Sequence, residues 1–242
     1  MPGAMRERWR LARAKQYEDW WCIVIGGPIG NLLAAVVAPW RHFTADLATL
    51  LSGILRLAGA ALLLDGSGEL DLLAAALLQL GSLLDVVDGA LARLRGPTNR
   101  GAFLDKAVDM ICLAAVFGAA GWRAASDAHE PLLWIAGVFI AWSILLRGYL
   151  LWVVRAQELV HRRPTTVQAA AASPAPPAFW SRPVLRIFFV GESDLYFWLA
   201  LGLVARRVAA VLVVLASALA VWLVVIGWHR YRASARLDGP AP

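Results

Sequence analysis

This sequence predicts an all-α, polytopic membrane fold: six transmembrane helices preceded by an amphipathic interfacial helix. Three observations predict it. Apolar residues make up 60% of the 242 and charged ones only 17%, with a mean hydropathy of +0.63. A soluble domain sits at about 45–50% apolar and about 25% charged. Apolar runs of about 20 residues recur, the length a helix needs to cross hydrocarbon. Lys and Arg fall almost wholly on one side of the resulting layout. The same composition excludes a disordered chain, a coiled coil and a secreted disulfide scaffold, and the net charge of +6 reads as charge sorting across a bilayer rather than nucleic-acid binding. Two cysteines, Cys22 and Cys112, cannot make a disulfide framework.

Residues 1–45 form the N-terminal segment. It begins with MRERWRLARAK, polar and basic, and no apolar run or cleavage site follows at once, so no cleaved signal is expected. CIVIGGPIGNLLAAVVA at 22–38 sits at the lower limit for a span and is broken by Gly26, Gly27, Pro28 and Gly30. It is assigned to the interface, behind the basic amphipathic helix. The membrane domain, 46–230, places spans at 46–64, 70–92, 103–122, 132–154, 184–204 and 208–228, because an open strand cannot satisfy its backbone in lipid. DGSGELD at 65–71 and RAASDAHEP at 123–131 are short polar connectors, and 155–183, with its Pro/Ala-rich VQAAAASPAPPA, is a flexible loop. Residues 231–242 form a tail.

With both termini inside, the cytoplasmic segments hold five basic residues in 6–15, Arg41, three in 93–100, five in 155–186 and three in 230–236. Only Arg123, Arg206 and Arg207 fall outside, while Arg56, Lys106 and Arg147 lie within spans. A seventh span at 22–38 would put the N-terminal five on the wrong side. Trp20, Trp21, Trp40, Trp122 and Trp228 fall at span boundaries, as an aromatic belt requires. The expected location is an integral, multi-pass one (the inner or plasma membrane if the source is bacterial), with both termini and the active site cytoplasmic.

The four His show no ligand spacing. Chemistry concentrates in LLDVVDGALARLRGPTNRGAFLDKAVDM, residues 83–110. Asp85 and Asp88, three apart, share a face near the end of the second span; Asp105 and Asp109, four apart, share one at the start of the third. A short loop makes the two helices antiparallel neighbours, so the four carboxylates converge near the cytoplasmic surface. Carboxylates in membrane helices are costly and mark function. Converging carboxylates repel unless cations lie between them, and hard oxygen ligands suit Mg²⁺, Mn²⁺ or Ca²⁺. Two divalent ions bridged by aspartates serve phosphoryl transfer. Gly89, Ala92 and Gly101 clear space for a ligand, and Arg93 offers a fork to phosphate oxygens. A cation transporter is the competing class, but it would carry its carboxylates near mid-membrane on broken helices.

The pattern Asp85-x2-Asp88-Gly89-x2-Ala92-Arg93-x7-Gly101-x3-Asp105-x3-Asp109 resembles the signature of the CDP-alcohol phosphotransferases at all eight fixed positions. The six-span layout is similar to that family's membrane core. The resemblance implies transfer of a phosphate-linked group from a CDP-activated alcohol to the hydroxyl of a second alcohol, with release of CMP, in phospholipid biosynthesis. CDP-diacylglycerol is the expected donor. CDP-choline, CDP-ethanolamine or CDP-inositol with a lipid alcohol as acceptor is the alternative. It further implies two divalent cations, Mg²⁺ or Mn²⁺, on Asp85, Asp88, Asp105 and Asp109, with Asp109 as general base, and a homodimer. Gly89, Ala92, Arg93 and Gly101 would line the CDP site. In the first span Thr49 matches the family's Pro-Asn-x-x-Thr segment, where Asp46 replaces Asn, and Ser52 and Arg56 share the stripe of Thr49. Arg147, Arg155 and Arg186 are candidates for a phosphorylated acceptor. Glu192, Ser193 and Asp194 interrupt the fifth span and would face a polar cavity suited to a hydroxyl-rich or cationic acceptor.

Overall fold

The protein is described by a computed structural model covering residues 2–12, 19–161 and 191–235. Among these residues the chain is helical, without strands: α1 (Pro2–Ala12), a π-helical turn (Cys22–Gly26) running into α2 (Gly27–Val37), α3 (Ala45–Leu64), α4 (Asp71–Arg95), α5 (Asn99–Ala128), α6 (Leu132–His161), α7 (Glu192–Val204) and α8 (Val208–Ala235). Helices α3, α4, α6 and α8 are long and apolar enough to cross a membrane.

Helix α5 has 30 residues, but Asp105, Lys106, Asp109, Arg123 and Asp127 interrupt its apolar character, and it lies between α3 and α6. It does not end near residue 122 as the sequence predicts. Arg123 stays in the helix, buried, with Nη1 3.2 Å from Asp71 and Nε 2.7 Å from Asp127, so the charge that marks a loop in the sequence is neutralised inside the fold. The described part of α7 has 13 residues, and 184–190 of the expected span lie outside the described residues, as does Arg186. The GESD run stands at the start of this helix, with Gly191 in extended backbone outside it. Gly191 is its N-cap, and the carboxylate of Asp194 accepts from the Gly191 backbone.

The segment 22–38 is a continuous helix whose glycine and alanine face, with Asn31, is buried, chiefly against α4. Its π turn has a local cause. The ring of Pro28 would clash with the carbonyl four residues back, and the widened turn, in which the Gly27 N–H reaches Cys22 O, relieves that crowding. The segment is pinned to α7, where Trp21 N donates to Asp194 Oδ1 at 2.9 Å and the Cys22 thiol to Ser193 Oγ at 3.3 Å.

The main core lies toward one end of the bundle, around Leu63, Leu78, Phe117, Ile140, Leu199 and Leu212. Leu50 and Ile54 of α3, Trp142 and Trp152 of α6, and Val221 and Val224 of α8 turn outward, a surface suited to lipid. At the other end the local chain chemistry builds a tight hairpin. Gly96 (φ 99°) stops α4 in a conformation that other residues avoid. Thr98 then caps α5, its hydroxyl accepting from Gly101 N at 3.0 Å. Only Gly96, Pro97 and Thr98 separate the helices, which brings the ends of α4 and α5 together.

Candidate active site

Above that hairpin opens a cleft of about 1120 Å³, lined by α3, α4, α5, α6 and the start of α7. Carboxylate oxygens of Asp85, Asp105 and Asp109 lie within 4.8 Å of one another at its floor. Asp88 also lines the cleft but turns to α3, where Thr49 Oγ1 donates to its Oδ2 at 2.6 Å. This is a short, charge-assisted bond.

Two cationic side chains hold the trio together. Arg56 is 1% exposed and sits 3.4 Å from Asp85 and 3.2 Å from Asp109. Lys106 Nζ lies 2.7 Å from Asp109 and 3.2 Å from Asp105, with its stem largely exposed. Arg56 reaches this depth because α3 carries Thr49, Ser52 and Arg56 on one buried stripe, and α4 offers Gly81 opposite. A Cβ at Gly81 would stand 2.7 Å from Arg56 Cγ and 3.0 Å from Ser52 O, so only glycine leaves room for the guanidinium to pass. Ser52 Oγ donates to Gly81 O at 2.9 Å and fixes the crossing. Tyr196 of α7 stacks on the other side, its ring centroid 4.7 Å from Arg56 Cζ.

The remaining expected site residues divide. Gly89, Ala92, Arg93, Gly101 and Thr49 all line the cleft. Arg93 is held by the N-terminal segment, donating to Ala12 O at 2.9 and 3.1 Å and to Asn31 Oδ1 at 3.3 Å. Arg147 lines the cleft from α6. Arg155, two turns farther along, is exposed and away from the lining, where it meets the charge of Arg230 on α8. The expectation that Arg147 and Arg155 share one pocket is therefore corrected. Eight residues amount to more than two turns, about 12 Å along the helix axis.

Two lining residues, Asp46 and Arg95, were not singled out as site residues from the sequence. Asp46 lines the cleft and accepts from Arg100 at 2.8 Å. Arg95 donates to the carbonyls of Ala38, Trp40 and Phe43, tying the α2–α3 connection to the end of α4. Glu192 and Ser193, expected from the sequence to face a polar cavity, enter the cleft as the first residues of α7. Gly191 followed by acidic residues marks a helix start.

The carboxylate cluster, the small-residue wall and the arginines at its mouth coincide with a family match. The CDP-alcohol phosphatidyltransferase family covers residues 42–222 of this sequence. The chain belongs to the CDP-alcohol phosphatidyltransferase family. No curated protein matches it. The family's chemistry is transfer of a phosphatidyl group from a CDP-alcohol, and it generally uses divalent cations. The matched region runs from just before α3 into α8, and so contains every helix that lines the cleft floor.

Proposed function

We propose that this protein transfers a phosphatidyl group from CDP-diacylglycerol to the hydroxyl of a small alcohol that carries an anionic group, such as a phosphate, releasing CMP, as a step of phospholipid biosynthesis. The gathering of Asp85, Asp105 and Asp109 at the floor of an open cleft carries the reading. The donor set fits two divalent cations, Mg²⁺ or Mn²⁺. The oxygens are hard, and the fold already directs positive nitrogen at the same atoms, from Lys106 and Arg56. Asp85, Asp88, Asp105 and Asp109 would hold the cations, which when bound neutralise the diphosphate and the leaving oxygen.

The chain's own residues supply the rest. Asp109, oriented by Arg56 and Lys106, takes the proton of the attacking hydroxyl. An O–P bond forms at the phosphorus that bears the diacylglycerol oxygen, the P–O bond to CMP breaks, and CMP leaves with the bridging oxygen. Thr49, Gly89, Ala92, Arg93 and Gly101 form the CDP wall, with Arg93 presented by Ala12 and Asn31. Arg147 receives the anionic group of the acceptor. The diacyl tails remain in lipid beside α3 and α4. A multi-pass arrangement with the cleft facing the cytoplasm is supported by the charge distribution, and the homodimer rests on family likeness alone.

The test is CMP release by the purified protein with CDP-diacylglycerol, CDP-choline and CDP-ethanolamine against a panel of alcohols, with Mg²⁺, Mn²⁺ or EDTA. Release that needs an acceptor and a divalent ion is the expected result. Full activity in excess EDTA defeats the cation assignment, and no release from any CDP-donor defeats the transferase.

A further inference from the structure

Glu192 is the acidic residue of the cleft that the reaction above leaves idle. It opens α7, which packs against α4, and lies outside the trio of carboxylates that gather within 4.8 Å. Its Oε1 is buried and has no hydrogen-bond partner among the described residues. A buried carboxylate oxygen without a donor costs free energy, so a donor that comes and goes with substrate is the economical explanation. Glu192 and Asp109 line the same cleft, and of the charges that act on Glu192 that of Asp109 is the strongest. Arg147 lines the same cleft from α6.

We propose that Glu192 selects the acceptor: its carboxylate accepts a hydrogen bond from a hydroxyl or ammonium on the carbon next to the attacking hydroxyl. The inference rests on the transferase reading and names the acceptor class within it. With Asp109 on the attacking hydroxyl, and Glu192 and Arg147 in the same cleft, the acceptor is a compact molecule with three features: the nucleophile, a neighbouring donor and an anionic group. Polyol phosphates and hydroxy amino acids both carry that set. A plain monohydric alcohol, or a diacylglycerol, does not. Ser193 and the Tyr196 ring close the wall behind the carboxylate and hold α7 against Cys22 and Arg56.

Matched acceptor pairs test it: glycerol 3-phosphate against propane-1,3-diol monophosphate, and L-serine against 3-hydroxypropanoate. Each pair differs only in the neighbouring donor. A hydrogen bond to a charged group is worth about tenfold to a hundredfold. Wild type should therefore prefer the donor-bearing member of its own pair by at least about tenfold in kcat/KM. Glu192→Leu should reduce that preference below about threefold. The loss should appear as acceptor KM, with CDP-diacylglycerol affinity in Mn²⁺ unchanged within about twofold. Glu192→Gln keeps a neutral acceptor atom and the fold. It should retain part of the preference for a hydroxyl but lose nearly all of that for an ammonium, which tells the two sources apart and carries the test if the Leu variant does not fold. Equal use of both members by wild type, an undiminished preference in both variants, or joint loss of donor and acceptor binding overturns the assignment. In each of those cases CMP release by wild type still upholds the transferase. CMP release from no donor at all defeats the transferase, and this inference with it.

Discussion

Arg56→Met offers the most direct reading of how the site is held together. The guanidinium is buried, lies 3.4 Å from Asp85 and 3.2 Å from Asp109, and stacks on Tyr196. Methionine replaces its volume but leaves two carboxylates with one fewer cation. Removing one partner of a buried ion pair costs about 3–5 kcal/mol. The side chain of Asp85 is 26% exposed and both acids face an open cleft, so the lower end, about 3 kcal/mol, applies without divalent ions. When Mn²⁺ occupies the acids, the charge is compensated and the remaining loss is packing and the cation–π contact, about 1–2 kcal/mol. The deficit should therefore shrink by about 1–2 kcal/mol on adding Mn²⁺, and a chain of this size shifts by about 2–4 °C in Tm per kcal/mol. Thermal unfolding in detergent, followed by tryptophan fluorescence in EDTA and in saturating Mn²⁺, measures it. An equal Tm deficit in both buffers would mean that Arg56 does not neutralise the metal-binding acids, and the account of the floor would fail.

The other predictions address the base, the exposed lysine and the orientation. Asp109→Asn should bind CDP-donor within about tenfold of wild type in Mn²⁺ titrations while CMP release falls at least about 100-fold; near-normal turnover assigns the base elsewhere. Lys106→Gln removes a cation that competes for Asp105 and Asp109, and because its side chain is 66% exposed the effect is limited. Calorimetric Mn²⁺ affinity should rise about two- to fivefold, and a fall refutes the competition. Ser67→Cys, in the α3–α4 connection, and Pro97→Cys, in the α4–α5 hairpin, should be labelled by an impermeant thiol reagent from opposite faces of oriented vesicles, Pro97→Cys from the cytoplasmic one. Labelling of both from one face rejects the topology.

The carboxylates were legible because spacing alone puts Asp85 with Asp88 and Asp105 with Asp109, and Gly96-Pro97-Thr98 reads as a turn between helices. The α3 stripe of Thr49, Ser52 and Arg56 follows from helical period for the same reason. What spacing cannot supply is the partner across a helix pair. That Arg56 bridges Asp85 and Asp109, while Asp88 turns to Thr49, depends on the α3–α4 crossing, and Gly81 sets that crossing from another helix. Arg123 misled because a charge in an apolar run looks the same whether it meets water or Asp71. Arg93 was legible as a phosphate fork, but its anchoring by Ala12 and Asn31 needs the N-terminal helix folded back on α4, and no local pattern encodes that contact.

The charges at the floor also argue for two cations rather than one. Asp85, Asp88, Asp105 and Asp109 carry four negative charges when ionised, and Arg56 and Lys106 return two positive ones. The protein alone thus presents a net charge of about −2, which would repel a diphosphate. One divalent ion brings the floor to neutrality and leaves no net attraction. A second raises it to about +2, complementary to the two negative charges of the diphosphate link in a CDP-alcohol. Arg147 and Glu192, which line the same cleft, carry one charge of each sign and leave that balance untouched, which frees them to recognise the acceptor. By the same reasoning, a mutation that removes one floor carboxylate should harm donor binding only if it also loses a cation. Its effect is therefore read from the metal dependence of CDP-donor affinity rather than from turnover alone. An affinity that rises with a single Mn²⁺ per chain and gains nothing from a second would break this charge argument while leaving the geometry of the cleft intact.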